Sequence, residues 1–339
     1  MGSQSNASYP GFVAPPFGVE PDLKWEPSRL NIVVQSLCIA LTTTFVATRM
    51  CIKWFLIKQI HLDDYVCILA WIGSIFYSSI TIAQGYLGLG VPQWNVAPAT
   101  VLAFLSRGYA SQILYGPIAF TTKLAILLLL MRIFSIERRF VQFSRALIGV
   151  CAAYYIAITL VQVFLCRPIA KAYDPRIPGR CLDSRSIFIT NTAIAILSDL
   201  VILAAPVPVI WKLNMGLWRR IGSILALAAG GLACIATIAR LAVIVNGLTL
   251  KDRSKFGPPI VILSCLEVAI GVICSCLPVL PALFRRVLGG SITTTYGSRK
   301  QSTYNSWAKR NTIKLKPTVG STKSAQHDAS RNSSQENLR

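Results

Sequence analysis

The sequence predicts an all-α membrane protein built as a seven-transmembrane helix bundle, and three observations carry that expectation. Hydrophobic residues fill 53% of the 339 positions and charged residues only 14%, where a soluble domain carries about 25% charged. Apolar stretches of about 20 residues, enough to cross a hydrocarbon layer of about 30 Å, recur seven times. The 34 Lys and Arg residues, against 13 Asp and Glu for a net charge of +21, fall between those stretches and in the C-terminal tail. That placement is a topology signal rather than a nucleic-acid surface. The chain has no CxxC, HExxH or GxxxxGK[ST] segment, so nothing points to zinc, protease or P-loop chemistry, and no metal, cofactor or nucleic-acid partner is expected.

The spans are expected at 30–49, 65–86, 109–131, 146–166, 187–210, 221–246 and 260–284. They divide the chain into an N-terminal segment (1–28), a helical domain (29–285) and a tail (286–339). The N-terminal segment lacks a basic start followed by a continuous apolar core, so the first span is expected to act as the signal anchor. Asn6-Ala7-Ser8 is a sequon, used only if Asn6 reaches the lumenal side. Seven spans place the termini on opposite faces. Arg49, Lys53 and Lys58, then Arg132, Arg138, Arg139 and Arg145, then Lys212, Arg219 and Arg220, with eleven in the tail, put 21 of the 34 basic residues on one face and eleven on the other. The positive-inside bias makes the richer face cytoplasmic, in a plasma or endomembrane, with the N-terminus outside.

Between the fourth and fifth spans, Cys166 and Cys181 flank a polar, Pro-containing external loop. An oxidising compartment allows them to bond and tether the two spans. The other eight Cys lie in or beside spans and read as small apolar filler. Pro206 and Pro208 in the fifth span, and Pro278 and Pro281 in the seventh, predict bends. The tail has sixteen Ser and Thr in 291–339 and no apolar periodicity, so it reads as disordered. Its cations either favour an anionic leaflet, by about 1 kcal/mol per residue, or serve topology alone.

Four ionisable residues, Lys123, Asp199, Arg240 and Glu267, fall inside spans, where each is costly unless paired or hydrated. At 1.5 Å per residue Lys123 lies about 21 Å and Asp199 about 18 Å below the outer ends of their spans, while Arg240 and Glu267 both lie about 10 Å down. The depth-matched pairs are therefore Lys123 with Asp199 and Arg240 with Glu267. Gln112, Tyr115, Ala119 and Lys123 form one helical stripe, and Ser264, Glu267, Gly271, Cys274 and Pro278 another. Asn191 recurs one heptad before Ser198, so all three stripes should face the interior. The pairs either fix helix packing or serve a ligand or proton transfer. Asp63 and Asp64, at the start of the second span, either cap its free N–H groups or latch an internal-loop Arg as a charge switch. A retinal Schiff base needs a Lys, and 260–284 contains none. Lys123 is the one intramembrane Lys, so no chromophore is expected.

Six segments in order carry a family resemblance over residues 30–285: HLDDYVCILAW opening the second span, KLAILLLLMRIF ending the third, FLCRPIAKAYDPRIPGRC after the fourth, SDLVILAAPVPVIWKLNM in the fifth, IATIAR in the sixth and LEVAIGVICSCLPVLPALF in the seventh. Together they resemble the fungal rhodopsin-domain family of integral membrane proteins, of the satratoxin-cluster type and related to Pth-type receptor-like proteins. The chain departs from the pattern at Gly88-Leu89-Gly90-Val91-Pro92, where members often carry a basic residue and His after the second Gly, and at Tyr173, where Trp is common. The resemblance implies surface-cue sensing or residence in a secondary-metabolite gene cluster. The expected function is receptor-like: binding a small apolar or amphipathic ligand or metabolite between helices, with the bilayer around it and a cytoplasmic signalling partner. The alternative is a membrane-embedded cyclase or isomerase using Asp199 or Glu267 as acid. A transporter ranks third, because seven spans leave no even inverted repeat. The basic-residue bias predicts that a C-terminal tag in sealed, right-side-out vesicles resists protease until detergent is added; digestion without detergent reverses the topology.

Overall fold

The computed structural model describes residues 27–58, 60–91, 95–174, 176–212, 217–249 and 257–280. The segment with Asn6, the chain from Pro281 and the whole tail lie outside the described residues. Eight α-helices form seven spans: α1 (Arg29–Cys51), α2 (Leu62–Gly85), α3 (Pro98–Ile133), α4 (Arg138–Val163), α5 (Ser184–Ala204) with α6 (Val207–Lys212), α7 (Leu217–Thr249) and α8 (Gly257–Cys276). Their mean hydropathy runs from 1.8 to 2.5.

Burial is inverted relative to a soluble protein. On α1, Asn31, Gln35, Cys38, Thr42, Val46 and Arg49 recur at steps of three or four and are buried, whereas Leu30 and Leu37 are 67% and 56% exposed. Asn31 Nδ2 donates to Thr81 O of α2 at 2.9 Å and Thr42 Oγ1 to Cys38 O at 2.8 Å. A helix that hides its amides and presents its leucines is stable only in an apolar solvent, where every polar group has to be met within the protein. The chain is thus a multi-pass protein embedded in the lipid bilayer.

α3 and α8 are the central helices, each with 56% of its apolar window buried against 17–33% for the others. α1 packs on α2 and α8, α2 and α4 on α3, and α7 on α5 and α8. Where α8 meets α3, a Cβ added at Gly271 would fall 2.5 Å from Thr122 Cγ2, so only a glycine lets the helices approach this closely. Gly90, at φ +90°, turns the chain after α2, and there a Cβ would strike Pro258 of α8 at 2.7 Å. This position excludes other residues on both conformational and steric grounds.

Several boundaries differ from those expected. The first span runs past residue 49 as a π-helix over Ile52–Ile57, and Lys58 then closes it in the left-handed conformation. Arg49 and Lys53 can stay helical because buried carboxylates receive them. α3 starts at Pro98 rather than 109, with proline at the favoured first position. Its extra turns carry Arg107 outward, donating to Ala103 O at 3.3 Å. α4 starts at Arg138, turning Arg138 and Arg139 out while Phe140 and Ser144 turn in. The fifth span breaks between Ala204 and Val207 at Pro206, the seventh tightens to a 3₁₀ turn over Leu277–Val279, and Pro117 stands inside α3 without ending it.

Between α4 and α5, β1 (Cys166–Arg167) and β2 (Arg180–Cys181) form an antiparallel ribbon, with Cys166 opposite Cys181 and the two joined by a disulfide. This ribbon marks one end of the bundle, the disulfide end. The remaining eight Cys are free and all but Cys51 are buried. The glycine contact predicts that Gly271→Val lowers stability by about 1–3 kcal/mol through overpacking, read as a drop in thermal midpoint; an unchanged midpoint would show that the helices separate freely at this crossing.

Candidate functional site

Helix capping and charge pairing converge at the end of the bundle opposite the disulfide. α2 starts after His61, and Asp64 Oδ2 accepts the His61 backbone N–H at 3.0 Å, half of a capping box. The same carboxylate binds Lys53 Nζ at 2.8 Å and, through Oδ1, Arg49 Nη2 at 2.8 Å. Asp63 takes Arg49 Nη2 at 2.7 Å, Lys53 Nζ at 3.4 Å and the half-exposed Arg132 of α3 at 3.4 Å. Arg49 Nη1 donates to the Ser275 carbonyl of α8. Capping and latching therefore occur together. The latching arginine comes from the last turns of α1, not from a loop, because the helix continues past it. Carboxylate oxygens and a ring nitrogen of His61, Asp63 and Asp64 lie within 4.8 Å of one another, but two buried cations already neutralise the carboxylates.

Both depth-matched pairs are in contact. Lys123 Nζ of α3 reaches Asp199 Oδ1 of α5 at 2.7 Å and donates to Ser198 Oγ at 2.6 Å and Ala195 O at 3.2 Å. Thr237 Oγ1 of α7 donates to Asp199 Oδ2 at 3.3 Å. Lys123 also lies 5.7 Å from the Tyr155 ring of α4, a cation–π distance. Arg240 Nη1 of α7 reaches Glu267 Oε2 of α8 at 3.1 Å and donates to Ser264 Oγ at 3.2 Å. The Tyr115 hydroxyl of α3 donates to the same Glu267 oxygen at 2.7 Å, and the Arg240 guanidinium lies 4.7 Å over the Tyr115 ring.

Among the described residues, two cavities adjoin these pairs. A small one of about 70 Å³ is lined by Lys123, Asp199 and Glu267 with apolar residues of α3, α5, α7 and α8. It has room for water-sized occupants only. A large one of about 670 Å³ reaches from Leu182, Asp183 and Ser184 beside the disulfide ribbon down to Tyr115, Ser264 and Arg240. Gln112 and Asn191 also line it, and Asn191 Oδ1 accepts the Tyr154 hydroxyl at 2.8 Å. Its volume is that of a small-molecule site, and its lining, mostly apolar with a few convergent polar groups, suits an amphipathic occupant.

The family model for the fungal rhodopsin domain matches residues 48–286. The chain belongs to the fungal rhodopsin domain family. A SAT4 family membrane protein of Emericella nidulans is 35% identical over 231 residues, covering 68% of this chain and 59% of that protein. This chain therefore spans less than two thirds of that relative's length. Fugralins biosynthesis cluster protein 2 of Gibberella zeae is 27% identical over 285 residues, 80% of this chain and 70% of its own. Satratoxin biosynthesis SC1 cluster protein 4 of Stachybotrys chartarum is 27% identical over 202 residues, 59% and 69%.

The family match takes in both depth-matched charge pairs and every lining residue of the two cavities. Sequence reasoning missed Gln84 and Gln162, single glutamines near the cavity-side ends of α2 and α4. Their signal was available: an uncharged amide within an apolar span has to find an internal partner. Gln84 finds Ser111 Oγ at 3.4 Å. Phe104 and Leu105 were missed because the third span was begun too late. For the Lys123–Asp199 pair, Lys123→Met and Asp199→Leu should each cost about 3–5 kcal/mol by stranding the partner charge, and the double variant should recover most of that loss. Additive losses in thermal unfolding would show the two charges to be uncoupled.

Proposed function

We propose that this fungal rhodopsin-domain protein is receptor-like and binds a small apolar or amphipathic compound in the large cavity, on the non-cytoplasmic side of the membrane. The observation that carries the reading is the cavity itself: about 670 Å³, walled by α2, α3, α4, α5, α7 and α8 and by Leu165 and Leu182 beside the disulfide ribbon, with buried polar side chains at its floor. Two of the relatives above bear the names of biosynthesis-cluster proteins, which favours a secondary metabolite as the compound. The basic face at the opposite end, where Arg132 reaches Asp63, suits a cytoplasmic signalling partner.

The rival reading, a membrane-embedded cyclase or isomerase, has one observation in its favour: Asp199 and Glu267 both line the small cavity and Glu267 Oε1 has no partner. That cavity, at about 70 Å³, is small for an organic substrate, and each carboxylate is already ion-paired, Asp199 with Lys123 and Glu267 with Arg240. Binding without turnover predicts that a lipophilic extract of a fungal culture raises the thermal midpoint of the purified protein, that Val261→Trp, which fills the cavity, abolishes the rise, and that mass spectrometry recovers the bound compound unchanged. Conversion of the compound, lost in Glu267→Gln or Asp199→Asn with the fold intact, would establish the enzyme instead.

A further inference from the structure

We infer that the large cavity takes an amphipathic carboxylic acid, its carboxylate laid side-on against the Nε and Nη2 edge of Arg240; this deepens the ligand-binding reading above and rests on it. Arg240 is 3% exposed and lines the cavity floor. Its Nη1 is engaged by Glu267 and Ser264, and one face of its plane lies on Tyr115. Its Nε and Nη2, in contrast, have no partner. A guanidinium presents its donors as a rigid planar fork, and two of them side by side match the two oxygens of one carboxylate. Buried donors without acceptors are costly, so this edge, closed to water-sized groups as the side chain stands, gains an acceptor when a small shift of Arg240 turns it to the cavity it lines. A single carbonyl oxygen meets such a pair less well than a carboxylate does.

The surroundings give the acid a direction. Among the described lining residues only Arg240 and Asp183 are charged, and they stand at opposite ends of the cavity. Arg240 is the one cation in that described lining, so the carboxylate belongs at the floor. Glu267 is turned to the other side of the guanidinium, where its Oε2 accepts from both Arg240 and Tyr115. Phe104, Phe188, Ile244 and Val261 offer an apolar wall to the rest of the molecule. Higher on the wall, Gln162 Oε1 is buried and unpartnered, an acceptor for a hydroxyl on the ligand body.

The test uses the full chain in phospholipid nanodiscs with three probes of the same hydrocarbon chain: oleic acid, methyl oleate and oleyl alcohol. Oleic acid should raise the thermal midpoint with an apparent affinity about tenfold or more above the other two. Arg240→Lys, which keeps the charge and loses the fork, should remove that preference, as should the charge-neutral Arg240→Gln/Glu267→Gln double variant, and Val261→Trp should remove binding of all three. If ester and acid bind equally, or Arg240→Lys keeps the preference, while Val261→Trp still abolishes binding, the carboxylate assignment falls and the binding cavity stands. If none of the three shifts the midpoint in a Val261-dependent way, both fall.

Discussion

Hydrocarbon offers no hydrogen bonds, and most of what this bundle does with its polar residues follows from that constraint. Once a side chain of Asn, Gln, Lys or Asp is placed within a span, its partner has to come from another turn or another helix, because no water waits at the surface. α1 shows the result in its simplest form: its amides and its arginine lie on the face shared with α2 and α8, and its leucines face outward. The contact that fixes the rotation of such a helix is therefore polar, while apolar packing with lipid is indifferent to rotation.

The same logic makes α3 the reference element of the fold. Arg132, Lys123 and Tyr115 meet partners on α2, α5 and α8 respectively. Each partner is charged, so each contact is specific in a way that leucine packing is not. α8 is held from both ends, by Glu267 and Ser264 toward α7 and by the Ser275 carbonyl toward Arg49. Gly271 lets these two helices come close enough for the hydroxyl of Tyr115 to reach Glu267. The floor of the large cavity is consequently made of the groups that hold the central helices together.

The number of spans was legible because a crossing helix requires an apolar run of fixed length, and nothing in a soluble protein imitates seven of them. The pairing of Lys123 with Asp199 and of Arg240 with Glu267 was legible for a related reason: helical rise converts residue number into depth, and buried charges at equal depth seek each other. Boundaries were less legible. The third span was expected only from 109, just past Arg107, yet a long side chain at the edge of a membrane can turn back to the backbone and leave the helix unbroken. The cluster around Asp63 was only half visible, since the sequence offers an acidic pair at a helix start but does not reveal that α1 continues until Arg49 and Lys53 reach it. The cavity was not legible at all. It is a space between six helices, lined from Tyr77 of α2 to Ser264 of α8, and the sequence specifies side chains rather than gaps between helices.

The buried cluster at the start of α2 also has a history in time. α1 precedes α2 in the chain, so at synthesis Arg49 and Lys53 are two bare cations at the end of a lone apolar helix. Their acidic partners, fourteen or fifteen positions behind Arg49, arrive only once the following turns have been made. During that interval their charge is free to act on how the helix enters the bilayer. After α2 is in place, the same two residues carry almost no net charge as a group and serve as mortar between helices. One pair of side chains thus has two duties separated by assembly, and exchanging either for a neutral residue of similar shape alters both.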